Sequence, residues 1–297
     1  MKLNRLSFVL PALAFCFSLN FSVCAQATRT WVSGPGDDAN PGSRLAPCKT
    51  FSGVYSKTAA GGEINVIDPG GYGTATINKS LTIDGGSMGF VTFSSGISGM
   101  TIGAGAADVV TLRNLTFNGA GTGLHGIRIN SGGTIRLENC SIGGGTSNAI
   151  HFASSATNTS LILINCKLYN FAGAGIFVGT AGNKLILEGT TIEQCGAGIA
   201  VEEASTVVVK NSSVNLNKGI GVFASPGALV TLEDTHVDLN QTGIHSVGSV
   251  TISGVTVTGN TGAGLATSGN GIIRTFHNNQ IFGNNPNGNP TGSAPLR

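Results

Sequence analysis

Between residue 110 and the C-terminus the chain repeats one eight-residue pattern of apolar and polar positions. It reads Val110-Thr-Leu-Arg-Asn-Leu-Thr-Phe117 and Ile135-Arg-Leu-Glu-Asn-Cys-Ser-Ile142. It continues as Leu161–Leu168, Leu185–Ile192, Val207–Val214, Val230–Val237 and Val250–Val257, with a degenerate copy at Arg274–Ile281. Positions one and three are apolar and alternate with mixed positions, as in a strand with one buried face. Position five is Asn114, Asn139, Asn165, Gly189, Asn211, Asp234, Gly254 or Asn278. These residue types accept left-handed backbone geometry at low cost, so the pattern predicts a strand, a recurring bend and a second strand. Stacked side chains at the bend predict a structural ladder of Asn114, Asn139, Asn165, Asn211 and Asn278.

A third strand signature alternates with the first two: Gly126-Ile-Arg-Ile129, Ala149-Ile-His-Phe152, Gly175-Ile-Phe-Val178, Gly198-Ile-Ala-Val201 and Gly219-Ile-Gly-Val222, then Gly243-Ile244 and Gly264-Leu265. A further asparagine column, Asn217, Asn240, Asn260 and Asn284, follows the unit in the later copies. A fixed period of this size signals a solenoid. Leucine-rich repeats share the period but place two residues between their last leucine and the asparagine, where Leu163-Ile-Asn165 has one. Three short strands per period predict an all-β parallel β-helix of about nine coils, roughly 40 Å long at the strand spacing.

The domain reading follows from what flanks the repeat. Residues 1–27 have a basic start at Lys2 and Arg5, an apolar stretch and a small-x-small site at Ala25-Gln26-Ala27. They predict a signal peptide, maturation at Thr28, and a secreted or periplasmic product with no membrane attachment after cleavage. Residues 28–61 predict an N-terminal cap with a short helix after Thr50, burying Phe51, Val54 and Tyr55 on one face. Residues 62–284 form the β-helix, although 84–107 are difficult to register. Residues 285–297 predict a disordered or extended tail.

Charge narrows the partners. Removing Lys2 and Arg5 from 16 basic residues leaves 14 against 14 acidic ones, a formal net charge of zero, and no nucleic-acid partner is expected. Of six cysteines, Cys48, Cys140, Cys166 and Cys195 lie beyond the signal peptide. Cys140 and Cys166 share a column in consecutive coils and predict a stacked thiol pair. Cys195 falls in a turn column and Cys48 in the cap. No spacing predicts a metal site, and Asp37, Asp38 and Asn40 read as a turn. No cofactor is expected, and Ca²⁺ has no supporting motif. The sequons at Asn114, Asn139 and Asn211 fall on the bend.

The Gly-Ile-x-Val strand, the asparagine bend and the paired strands resemble the right-handed parallel β-helix of the pectin lyase-like superfamily. Gly36-Asp-Asp-Ala-Asn-Pro-Gly42, Pro47-Cys-Lys-Thr-Phe51 and Gly61-Gly-Glu-Ile-Asn-Val66 resemble the amino-terminal cap of its secreted bacterial members. The resemblance implies a site on the outward face of the Gly-Ile-x-Val sheet. Its outward positions are Arg128 with Asn130, His151, Phe177, Ala200 with Glu202, Gly221 with Phe223, His245 and Ala266. Hydrolase chemistry needs a pair of carboxylates, and lyase chemistry as the resemblance implies it needs several acids around Ca²⁺ with a basic Arg or Lys. Arg128, His151 and Glu202 are the catalytic candidates, but Glu202 lies three coils from Arg128, about 14 Å. No catalytic constellation is recognisable. Phe177, Phe223 and His245 are the carbohydrate-binding candidates, because sugar rings stack on aromatic faces. The functional expectation is interaction with polysaccharide or the cell surface. A lyase or hydrolase with a non-standard site is one alternative. The other is a structural or adhesive rod making lateral protein contact at Ile162, Ile186 and Val208.

Overall fold

The computed structural model describes residues 26–156 and 158–294, so the signal-peptide reading lies almost wholly outside the described residues. Three short parallel strands per turn wind into a β-helix. One ladder is a nine-stranded sheet running from Ala75–Ile77 to Leu265–Thr267. The other two flank the bend; strands such as Ser160–Ile164 and Lys167–Phe171 each pair with their counterparts one coil away.

The register shows why the sequence winds this way. Ile127, Ile150, Ile176, Ile199, Val222, Ile244 and Leu265 form one inward column, each at 4% exposure or less. Leu112, Leu137, Leu163, Leu187, Val209, Leu232 and Ile252 form the opposing column, all at 0%. Burial of each such side chain contributes about 1.5–3 kcal/mol relative to exposure. The bend is left-handed at Asn114, Asn139, Asn165, Gly189, Asn211, Asp234 and Gly254, with φ between 46° and 63°.

Asn278 does not continue that bend. Val250 pairs with Ile273, which puts His277 at the bend position with φ 65°. Val257 pairs with Ile281, so the last coil holds one extra residue at this corner. Asn278 absorbs the insertion and donates to Ser253 Oγ at 3.2 Å, while Asn279 accepts from the Val255 amide. The bend ladder is also interrupted. Asn139 donates to Asn114 at 3.3 Å and Asn114 to Asp84 at 2.9 Å, but Asn211 bonds to Glu188 across Gly189.

A continuous amide ladder stands instead on the second asparagine column. Asn217, Asn240 and Asn260 are buried, and each donates its side-chain amide to the next asparagine's Oδ1, ending on Asn284. The same Oδ1 atoms accept the backbone N–H of the coil before. A second left-handed position precedes each one, at Leu216, Leu239, Gly259 and Gly283. This corner turns the backbone amides inward, and the asparagines satisfy them where no water reaches. Cys195 begins the column and donates its N–H to Asn217.

Both ends of the β-helix are covered by described residues. The helix Phe51–Tyr55 has Thr50 as its N-cap, accepting from the Gly53 amide, and packs Phe51 against Tyr72 at 5.4 Å between ring centroids. Of the segment 285–297, expected to be a disordered or extended tail, residues 285–294 lie against the last coil. Gly264 and Leu265 donate to the carbonyls of Pro286 and Asn287, and Gly292–Ser293 pairs with the last coil. These residues cover a sheet end whose N–H groups would otherwise lack acceptors.

Candidate functional site

The outward column of the nine-stranded sheet runs Thr76, Thr101, Arg128, His151, Phe177, Ala200, Phe223, His245 and Ala266. Gly221 is not part of it. Ile199 pairs with Val222, so the motif in that coil is Gly221-Val-Phe-Ala224, two residues later than the Gly-Ile pattern suggests. Gly221 is buried and belongs to a glycine column with Gly175, Gly198 and Gly243. A Cβ on Gly198 would lie 2.3 Å from the Gly221 carbonyl and 2.3 Å from Val214 Cγ1, so close backbone approach explains the glycine.

The column brings aromatic rings together in two groups. His151 and Phe177 lie 5.1 Å apart at an interplanar angle of 8°, and His125 stacks on His151 at 4.6 Å and 27°. Parallel rings this close would collide if coplanar, so they face one another along the helix axis. Phe223 meets His245 edge to face at 5.6 Å, and His245 bonds to Ser268 Oγ at 3.0 Å. Between the groups the column drops to Ala200, 8% exposed. There an open cleft of about 390 Å³ is floored by Ala197 and Ala200, walled by Ile220 and Phe223, and edged by Glu202 and Gln241.

His125 is absent from the sequence reading because period-two alternation does not reach it. It precedes Gly126, where the chain turns into the sheet. Ala197 and Ala200 line one cleft at that same corner, so residues three apart come to the same side. Its buried ring accepts from the Asn148 amide at 3.3 Å, and Asn148 Nδ2 meets His151 Nδ1 at 3.2 Å. Burial, then His151 and Arg128, pushes His125 down to about 4. Burial and Arg128 also lower His151. His125 is therefore neutral near pH 7 and backs His151 as a buried ring, while His151 presents the accessible face.

The catalytic candidates do not converge. Arg128 is tied to Asn130 at 3.0 Å and adjoins His151, whereas Glu202 edges the cleft three coils further on. Among the described residues no cluster of three or more His, Cys, Asp or Glu side chains could hold a metal. Asp38 accepts from the Lys49 and Thr50 amides and the Thr50 hydroxyl, which leaves its carboxylate occupied by its own loop. A larger recess of about 480 Å³ opens at the asparagine-ladder corner, lined by Asn170, Gln194, Leu216 and Lys218. Its one aromatic, Phe171, is 2% exposed and offers no stacking face.

The other outward face differs. Ile162, Ile186 and Val208 are in register, with Ile186 40% exposed. Around them run ion pairs: Arg136 with Glu138, and Lys210 with Glu233 at 2.7 Å. Arg113, a strand neighbour of Glu138, pairs instead with Asp84 at 2.9 Å and Glu63 at 3.1 Å. Cys140 and Cys166 are free, buried thiols in adjacent coils, and the neighbouring Cys166 thiol, then burial, pushes Cys140 up. Cys48 and Cys195 are free and buried too, and burial pushes Cys195 up to about 11.

Comparison with known proteins agrees with this architecture. A family model described as "Right handed beta helix region" matches residues 156–291. No curated protein matches the sequence. An alginate lyase from Paenibacillus sp. str. FPU-7 superposes with a TM-score of 0.59 at 15% identity, covering 91% of this chain and 99% of that one. Pectate lyase Pel9A gives 0.57 at 18% identity, covering 84% and 68%. A GH136 lacto-N-biosidase from Eubacterium ramulus gives 0.50 at 11% identity, covering 90% and 66%. The stacked parallel coils, the asparagine-lined corners and these likenesses together give this chain a right-handed parallel β-helix fold.

Proposed function

We propose that the chain is an exported, secreted or periplasmic polysaccharide-interacting protein that uses the outward face of its nine-stranded sheet. One observation carries the reading: the outward column sets the His151–Phe177 stack, backed by buried His125, and the Phe223–His245 pair on either side of an alanine-floored cleft. Apolar rings beside hydrogen-bonding groups suit sugars, whose C–H faces stack while their hydroxyls seek polar partners. The structurally similar lyases and the biosidase are named for work on glycans, which supports the same reading. Arg128, His151 and Glu202 are too dispersed for a shared reaction centre, so binding without turnover is the expected behaviour.

The test is a screen of the mature protein, from Thr28, against soluble polysaccharides. Retarded migration in affinity gels, relieved at least tenfold by Phe223→Ala, is the expected result. New unsaturated or reducing ends, lost in Arg128→Ala or Glu202→Ala, would replace it with an enzymatic reading. Absence of binding together with a dimer broken by Ile186→Lys would replace it with the adhesive rod. N-terminal sequencing of the exported protein checks maturation at Thr28.

A further inference from the structure

We infer that the cleft over Ala200 selects neutral glycans and rejects uronate-rich ones; this rests on the polysaccharide reading and adds the substrate class. The inference comes from the charges on the face. The cleft's ionisable lining residue is an acid, Glu202, with exposed Glu203 beside it. The cation of this column, Arg128, stands three coils away, about 14 Å, with its Nε bound to Asn130. His125 is held neutral, and burial with Arg128 disfavours charge on His151, which stands between Arg128 and the cleft in the column. Lys218 immediately precedes Gly219 of the cleft, but its own side chain belongs to the lining of the neighbouring recess and not to that of the cleft.

A uronate seated over Ala200 would therefore bring its carboxylate toward Glu202, and none of the cleft's lining residues offers an opposite charge. A neutral sugar meets no such conflict. Its apolar face fits Ala197, Ala200, Ile220 and Phe223. Its hydroxyls can donate to Glu202 and exchange both donor and acceptor bonds with the Gln241 amide. The column also sets the direction of the ligand. Its rungs rise along the helix axis, so a glycan lying on it crosses the strands and passes from Phe177 over Ala200 to Phe223.

The experiment measures binding of the mature protein, by calorimetry, to cello-, manno-, xylo- and galacto-oligosaccharides and to oligogalacturonates and oligomannuronates of equal length. At least one neutral series is expected to bind tenfold or more tightly than either uronate series. Ala200→Trp, which fills the cleft from outside the core, is expected to weaken the neutral ligand at least twentyfold at an unchanged Tm. Glu202→Lys is expected to raise uronate affinity at least fivefold. Tighter binding of uronates by the wild-type protein, weakened by Phe223→Ala, would overturn the inference and leave the polysaccharide reading standing. Neutral binding indifferent to Ala200→Trp would overturn the assignment of the cleft. Binding of neither class would remove both.

Discussion

The nine-stranded sheet and the bend-flanked strands are built from the same repeat, yet their outward faces differ in what neighbouring coils do to each other. On the bend-flanked sheet, charges alternate between coils and pair, as in Lys210 with Glu233 and Lys167 with Glu193 at 2.8 Å. Around Ile162, Ile186 and Val208 the result is an aliphatic strip bordered by ion pairs. On the nine-stranded sheet, large rings stack over several coils and then give way to Ala200. In a solenoid each residue meets its own column above and below, so one small residue in a column of large ones makes a cleft. The lesson concerns columns: a site here is a break in a vertical series, and residue type at a single position says little.

The largest effect expected from perturbing this contrast lies beneath both faces. Asn240→Ala removes the acceptor of the Asn217 N–H and Nδ2 groups, and the donor to Asn260. Buried groups left unsatisfied cost about 1–3 kcal/mol each, so thermal or urea unfolding should show a loss of about 3 kcal/mol or more. An unchanged midpoint would mean that water reaches this column. Next in size is the separation of binding from stability. Phe223→Ala should weaken glycan binding at least tenfold, while Ile186→Lys should leave it unchanged; equal losses would erase the distinction between the faces.

A smaller effect follows from acid. His125 has its folded pKa lowered from 6.5 to about 4. The unfolded chain therefore binds the proton first, and this residue's contribution to stability is lost as pH falls from 6.5 to 4. Relative to the wild type, His125→Phe should keep the stack and recover roughly 2 kcal/mol of the loss between pH 7 and 4, in urea titrations at each pH. Equal pH slopes in the two proteins would place His125 in solvent. Smallest of all, Lys210→Met should leave the melting temperature unchanged at 0.15 M salt or so, because exposed pairs are screened.

Much of the fold is legible in the chain because burial writes a period into it. Leu163 and Leu187 are inward, and Asn139 and Asn165 are left-handed, for reasons that act within a few residues. The outward positions of Arg128, His151 and Phe177 follow from the same alternation. Legibility fails where coils differ in length or turn. Gly221 takes the glycine position because its coil is offset by two residues, and His277 takes the bend because Asn278 is an insertion. Only inter-coil pairing settles such offsets.

By itself the sequence determined a three-strand coil, its left-handed corners, its apolar columns and the near absence of clustered charge. Each is a local preference repeated until cooperative stacking makes it a structure. Tertiary structure decided which columns carry chemistry. It brought His125 onto His151 from an adjacent coil, turned Asn217, Asn240 and Asn260 into a buried ladder, folded residues 285–294 over the open end, and left Ala200 as a gap between rings. These depend on which residue sits a whole coil, some 20 positions, away, and no local pattern of apolar and polar residues records that distance.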